Sequence, residues 1–408
     1  MKYLIEYPKE LNAEIQLPAS KSISNRALII YALTQNGIVP KNLADCDDTS
    51  VMIKALNSAD ELVDIMAAGT SMRFLTAYYA TQEGTKIMTG TERMQNRPIH
   101  LLVEALRKLG ADIEYVKNEG FPPLKINGKK LQGGDLSLDG SISSQFITAL
   151  LLIGPTLEKG LSLELKGEIA SKPYIDMTLA LMNQCGASAK WISANKLEVK
   201  PQPYKPTQVL VESDWSAASY WFEMVALMDK SEILLKDVTL PSIQGDAKGA
   251  ELFKLLGVDF KATAQGLLLT KTDKVSDKLD IDFTKIPDLA QTFVVTAALL
   301  DIPFRFTGLQ TLRIKETDRI AALINELKKL GYEIKDKGDK QMYWDLEKTT
   351  PQAKPVIVTY EDHRMAMALA PAAIKHPNLV IDEPMVVTKS YPTYWEDLQE
   401  IGVKVLKI

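Results

Sequence analysis

Cysteine and histidine are scarce. Cys46 and Cys185 are the only thiols in 408 residues, and His100, His363 and His376 the only imidazoles. Their spacing suggests neither a zinc site nor a disulfide framework. An excess of charge is also missing. A net charge of -4 argues against nucleic acid or an anionic membrane as the main partner, while leaving room for a small anion held by local cations. Long hydrophobic runs are absent too. The longest, near 146–153 and 293–300, are too short to span a bilayer. The first residues, Met1 to Glu6, carry an early acid and no apolar segment of a signal peptide, so a soluble, cytoplasmic protein is expected. What is present is an apolar fraction of 46%, enough for a sizeable core and too much for disorder. Two domains are the default at this length.

The stretch Pro18-Ala19-Ser20-Lys21-Ser22-Ile23-Ser24-Asn25-Arg26 places cations and hydroxyls directly before the apolar run Ala27 to Leu33. Ser and Asn ahead of such a run mark a helix start. The free N–H groups of a first turn and the positive end of the dipole favour an anion there, and Lys21 and Arg26 add full charges. An ordinary capped helix with two solvated cations fits this segment equally well.

The pattern recurs. Polar clusters lead into small, apolar helices at Gly69 to Arg73, Ser141 to Gln145, Ser213 to Ser216, Pro287 to Gln291 and Glu361 to Arg364. With Ser22, Thr70, Ser144, Ser216, Ala290 and Arg364 as markers, the intervals are 48, 74, 72, 74 and 74 residues. A second marker keeps the beat. Amphipathic stretches end in Gly110, Gly186, Gly257, Gly331 and Gly402, each followed by an apolar strand start, as a left-handed helix cap requires. Each unit thus reads as a buried inner helix, short strands, an outer amphipathic helix and further strands. Six units divide into three and three. The proline-rich segment Pro201 to Pro206 and the vicinity of Pro18 are the expected crossings. The expected domains are 1–18 with 212–408, and 19–211. If the inner-helix starts of each domain point one way, polar clusters converge. Helix ends are worth about 0.3–2 kcal/mol each and charge-assisted hydrogen bonds about 1.5–3 kcal/mol each, so the cations would carry most of the affinity.

Eight motifs occur in order: Pro18-Ala19-Ser20-Lys21-Ser22; Ala68-Gly69-Thr70-Ser71-Met72-Arg73; Arg93 to Ile99; Asp139 to Phe146; Ser171-Lys172-Pro173-Tyr174; Ile286-Pro287-Asp288; Arg313-Ile314-Lys315-Glu316-Thr317-Asp318-Arg319; and Asp362-His363-Arg364-Met365-Ala366-Met367. Together, from about Leu17 to Leu398, they resemble the 5-enolpyruvylshikimate-3-phosphate synthase family, the 3-phosphoshikimate 1-carboxyvinyltransferases. The resemblance implies an α/β fold: a two-domain inside-out α/β barrel, each domain built of three βαβαββ repeats. It implies transfer of the enolpyruvyl group of phosphoenolpyruvate to the 5-hydroxyl of shikimate 3-phosphate, through a tetrahedral intermediate, with domain closure and without metal or cofactor. The implied partners are these two small molecules, with no nucleic acid and no membrane, and a monomer is expected.

Roles carry over residue by residue. Asp288, which by position alone would cap the following helix, matches the base for the hydroxyl. Glu316 matches the proton-transfer acid, and Lys21 a phosphoenolpyruvate contact that takes part in proton transfer. Gly69, Arg97, Gln145, Arg319, Arg364 and Lys389 match the rest of the phosphoenolpyruvate site. Arginine suits bidentate contact with carboxylate or phosphate; Arg97 and Lys389, taken alone, would read as surface cations. Ser22, Arg26, Ser143, Ser144, Gln145, Ser171, Asp288 and Lys315 match shikimate 3-phosphate contacts; for the Ser143-Ser144-Gln145 group helix capping is the plain reading, and capping and phosphate binding can coexist. Tyr174 is a ring-packing candidate, Asp318 a helix cap, His363 a structural histidine, Met365 and Met367 core, and both cysteines structural thiols. Three positions depart from the family pattern: Ala67 replaces an asparagine, Phe74 a proline and Thr311 an asparagine. Gly69 is retained, so glyphosate is expected to fit. The alternatives are the related enolpyruvyl transferase of UDP-N-acetylglucosamine, against which 84–97 lacks a loop cysteine, and a non-catalytic small-anion binder, which would not need Asp288 and Glu316 together.

Overall fold

The structure, a computed structural model, describes residues 1–408. The chain divides into two compact units, Met1–Pro18 with Glu212–Ile408, and Ala19–Val211. Each has its own hydrophobic core.

Five four-stranded sheets share one strand order and polarity. In each, a first strand runs parallel to a second, which pairs antiparallel with a third, which pairs antiparallel with the edge. The larger unit holds three. In the first of these, Glu10–Gln16 lies parallel to Lys230–Lys236, followed by Gly266–Val275 and Leu256–Thr263. The second contains Leu279–Asp282, Phe304–Thr307, Gln341–Trp344 and Lys335–Lys337. In the third, Val356–Ile357 and Val380–Asp382 are completed by Lys2–Glu6 and Lys404–Lys407. The N-terminal strands thus fill places in the first and last sheets of the C-terminal half. Alternation explains the fit: Leu11 and Ile15 point into the core while Glu10, Asn12 and Gln16 are exposed.

The smaller unit holds the other two sheets, Leu62–Asp64 with Gly84–Thr89, Leu124–Gly128 and Asp112–Tyr115, and Gly134–Asp139 with Leu161–Lys166, Lys196–Val199 and Ala189–Trp191. Its opening segment differs. It has the helices Lys21–Leu33 and Asp47–Asn57 but only a parallel bridge between Lys41 and Leu210 in place of a sheet. This missing sheet accounts for the short first interval of 48 residues. Of the stretch Val209-Leu210-Val211, which follows the proline-rich crossing, only Leu210 forms that bridge. No sheet closes into a barrel, so the architecture stands as a mixed α/β fold.

The helix starts form where the polar clusters lie. Ser20 accepts a hydrogen bond from the Ile23 N–H, Ser143 from Gln145, Asp214 from Ala217, Asp318 from Ala321 and Asp362 from Arg364. The inner helices are largely buried, and in Ala290–Leu299 every residue is buried. At the other end of an outer helix, Gly331 follows Arg319–Lys329 with φ +95° and donates its N–H to Lys328 O at 3.0 Å. Phe74 lies within the helix Gly69–Ala80, fully buried, with the Arg26 guanidinium 5.5 Å over its ring. Both cysteines are free and buried. No helix is long and apolar enough to cross a membrane.

Candidate functional site

In the larger unit, three helix or turn starts and the ends of two turns bring ionic groups together. Pro287 opens a short 3-10 turn, Pro287–Leu289, and Asp288 stands inside it. Its carboxylate does not cap the helix that follows. Instead Oδ1 lies 3.2 Å from Lys315 Nζ and 3.3 Å from Arg319 Nη1, and Oδ2 lies 3.2 Å from Arg364 Nη2. Arg364 also donates to Asp288 O at 3.1 Å and to Ser216 Oγ at 3.3 Å. Arg319, the first residue of its helix, is fully buried. Its Nε donates to Asp362 Oδ2 at 2.7 Å and its Nη2 to Asp362 Oδ1 at 3.3 Å and Glu316 Oε2 at 2.9 Å. The other Glu316 oxygen lies 3.5 Å from Lys389 Nζ. Asp288, Lys315, Glu316, Arg319, Arg364 and Lys389 therefore form one connected network, with Asp362 beneath it.

The electrostatics follow from the count of partners. Burial alone would push the Asp288 carboxyl up, but Arg364, Lys315 and Arg319 outweigh it and hold it well below the carboxylate range. Burial opposes the charge on Arg319, and Asp362, Glu316 and Asp288 more than restore it. A buried guanidinium of this kind is tolerable only because carboxylates saturate its donors.

The smaller unit carries a second cluster. Lys21 opens the helix Lys21–Leu33 and pairs with Asp48 at 3.2 Å. Asp48, 5% exposed in its side chain, sits in the first turn of Asp47–Asn57, and Ser71 Oγ donates to its carbonyl at 3.1 Å. Gly69 opens the helix Gly69–Ala80 against Arg97: a Cβ there would stand 2.7 Å from Arg97 Nη1. Gln145 Nε2 donates to Thr70 Oγ1 at 3.2 Å. Arg73 ties this corner together, donating to Gly69 O at 3.1 Å and Pro98 O at 3.3 Å, with its guanidinium 5.7 Å over Phe146. Contacts thus link Lys21, Gly69, Arg97 and Gln145 through Asp48, Ser71, Thr70 and Arg73.

Arg26 lies deeper than its expected role as a ligand contact suggests. It is 3% exposed. Its donors go to Thr178 Oγ1 at 2.8 Å, Ser22 O at 2.8 Å, and Thr148 Oγ1 and Tyr174 O at 3.4 Å each. Burial among neutral acceptors lowers its pKa to about 10. It joins the starts of three helices that carry Ser22, Ser144 and Tyr174. Ser143 caps the helix that Ser144 opens, so capping is observed for the first of the pair. Ser171 adopts φ +55° at the start of Lys172–Gln184 without capping it. Thr311 lies in the turn Gln310–Ile314 with its hydroxyl buried and unpartnered. His363 is buried beside Asp362.

Asp362, Asp48, Arg73 and Ser216 went unassigned in sequence. Asp362 and Arg73 lie inside the motifs quoted above, but the clamp of Asp362 on Arg319 and the bond from Arg73 to Pro98 O are tertiary contacts. Asp48 carries no local signal, since only packing makes it buried.

Helix starts rich in cations, with Asp288 held by three of them and Glu316 by two, define a site class suited to small polyanions and proton transfer. The chain matches the family described as EPSP synthase (3-phosphoshikimate 1-carboxyvinyltransferase) over residues 5–59 and 57–398. It is 59% identical over 402 residues to the 3-phosphoshikimate 1-carboxyvinyltransferase of Bacteroides fragilis (strain ATCC 25285), covering 98% of each chain. It is 37% identical over 429 residues to the protein of that name from Shewanella piezotolerans (strain WP3), covering 98% of this chain and 99% of the other. The solved EPSP synthase of Acinetobacter baumannii superposes with a TM-score of 0.77 at 21% identity, covering 100% of this chain and 99% of that one, which shows the shared fold. The chain belongs to the EPSP synthase family.

Proposed function

We propose that the chain transfers the enolpyruvyl group of phosphoenolpyruvate to the 5-hydroxyl of shikimate 3-phosphate and releases phosphate, a step of the shikimate pathway. The likeness over 98% of the chain to proteins named for that reaction carries the reading. The network around Asp288 supports it, because the reaction needs a base, an acid and cations for two phosphates and two carboxylates.

Asp288 takes the proton of the 5-hydroxyl as its oxygen bonds to C2 of phosphoenolpyruvate, and Glu316, with Lys21, delivers a proton to C3. In the tetrahedral intermediate C2 carries both the new ether oxygen and the phosphate. Loss of a proton from the new methyl group and cleavage of the C–O bond to phosphate restore the double bond. Each acid–base group is worth roughly a hundred- to ten-thousand-fold. Arg319, Arg364 and Lys389, with Lys21, Gly69, Arg97 and Gln145, hold phosphoenolpyruvate. Ser22, Arg26, Ser143, Ser144, Gln145, Ser171, Asp288 and Lys315 serve shikimate 3-phosphate, Arg26 from below, through the carbonyls of Ser22 and Tyr174.

Before substrates bind, the cations that depress the Asp288 pKa make it a weak base. A bound polyanion shares Arg319, Arg364 and Lys315, which raises its basicity when it is needed. In the same reading the five sheets and the shortened opening segment are six repeats of an inside-out α/β barrel, three in each of the domains 1–18 with 212–408 and 19–211. The enzyme acts as a cytoplasmic monomer.

One assay tests the function: phosphate release from phosphoenolpyruvate with shikimate 3-phosphate, with UDP-N-acetylglucosamine, and with neither. Release is expected with the first alone. Release with the second would replace the acceptor, and release with none would leave a binding protein.

A further inference from the structure

The helix Arg319–Lys329 holds the 356–364 connection at two points. Arg319 grips Asp362 from its first turn. Seven residues on, two turns along the same face, stands Glu326. Its side chain is fully buried, and none of the roles above uses it. Its Oε1 accepts from Tyr360 Oη at 2.7 Å. Its Oε2 accepts from Val358 N at 3.0 Å and from Lys329 Nζ at 2.6 Å. Lys329 Nζ also donates to Val356 O at 2.8 Å.

The segment so held is conformationally unusual. Tyr360 and Glu361 both have φ +54°. Two successive non-glycine residues in the left-handed region are disfavoured without outside support. They immediately precede Asp362, whose N–H donates to Thr359 O at 2.9 Å, and Arg364 follows in the next turn. The reversal they make aims Asp362 at Arg319 and Arg364 at Asp288. Buried carboxylates are retained where their partners are fixed in return.

We propose that Glu326 and Tyr360 are positioning residues for phosphoenolpyruvate. The carboxylate–phenol bond holds the left-handed pair, and the pair sets the places of Asp362 and Arg364, and through Asp362 that of Arg319. The inference rests on the function proposed above. Of the residues assigned to shikimate 3-phosphate, the pair reaches Asp288 alone, and only through Arg319 and Arg364, so the larger effect falls on phosphoenolpyruvate.

The test is steady-state phosphate release by the wild type, Tyr360→Phe and Glu326→Gln, each substrate varied at saturation of the other, with Tm measured alongside. Tyr360→Phe is expected to raise KM for phosphoenolpyruvate about five- to tenfold, part of the loss of one charge-assisted hydrogen bond being expressed at the site. KM for shikimate 3-phosphate should stay within about twofold, while Tm falls by about 2–4 °C for each kcal/mol that the lost bond contributed to stability. Glu326→Gln, which keeps one acceptor oxygen, should shift KM for phosphoenolpyruvate in the same direction. Should it fail to fold, Tyr360→Phe alone carries the test. Unchanged KM values, an equal rise in both, or a fall confined to Tm and active fraction would each overturn the proposal. No turnover by the wild type would overturn the functional reading and this inference with it.

Discussion

At the scale of single residues, the distinction that matters is between charged groups facing a ligand and those holding such groups in place. Asp288 and Glu316 lie in the first category in our reading. Asp288→Ala and Glu316→Gln should each lower kcat by roughly a hundred- to ten-thousand-fold while changing substrate affinity much less, measured by phosphate release and equilibrium binding. Near-wild-type turnover in either would remove its role. Gly69 is a steric argument. With Arg97 Nη1 2.7 Å from where a Cβ would stand, Gly69→Ala must displace the guanidinium. Its KM for phosphoenolpyruvate should rise about tenfold or more. Glyphosate should inhibit the wild type in competition with phosphoenolpyruvate and inhibit this variant less. Unchanged wild-type turnover in excess glyphosate would contradict the first expectation, and equal inhibition of both proteins the second.

Among elements, each inner helix combines a polar start with a buried body, and in four of the six a side chain caps the start: Ser20, Ser143, Asp214 and Asp362. Asp214 caps Trp215–Leu227 through the Ala217 N–H at 2.9 Å. The body of that helix is buried almost throughout. Asp214→Ala leaves an N–H inside the protein without that acceptor and should cost about 1 kcal/mol, a fall of about 2–4 °C in Tm. A calorimetric scan that superposes on wild type would rule this out. Asp288 shows the limit of reading elements from sequence. The Pro287-Asp288 pair before a buried run has the pattern of a cap. The chain turns through a 3-10 turn instead, which swings the carboxylate toward three cations from other segments, two of them in helices.

For the molecule as a whole, two carboxylates, Asp288 partly and Glu223 fully buried, have their pKa values moved in opposite senses. Asp288 is depressed by its cations, so it contributes stability above the unfolded carboxylate pKa, and that contribution is lost as pH falls through its folded value. Glu223, inside Trp215–Leu227, is raised well above 4.5 by burial. It is neutral in both states below the unfolded pKa. Above it the unfolded chain releases a proton that the folded one keeps, so folding is increasingly opposed as pH rises toward the folded value. Glu223→Gln should therefore raise Tm at pH 8 by more than at pH 4. An equal change at both would show that packing, not ionisation, decides the effect.

The repeat, the helix starts, the glycine ends and the order of motifs are local properties. They depend on hydrophobic period, capping chemistry and backbone freedom within a few residues, so the sequence by itself determined them, along with the family. The sheet pairing of Lys2–Glu6 with Val380–Asp382 and Lys404–Lys407 depends on contacts more than 370 residues apart. So does the clamp of Asp362 on Arg319, 43 residues away. Arg26 carries the same lesson: its sequence shows a cation beside hydroxyls, but only packing against Thr148, Thr178 and Phe74 makes it a buried support. Burial and partner count are properties of the assembled fold, and they decide whether a charge meets a substrate or holds the group that does.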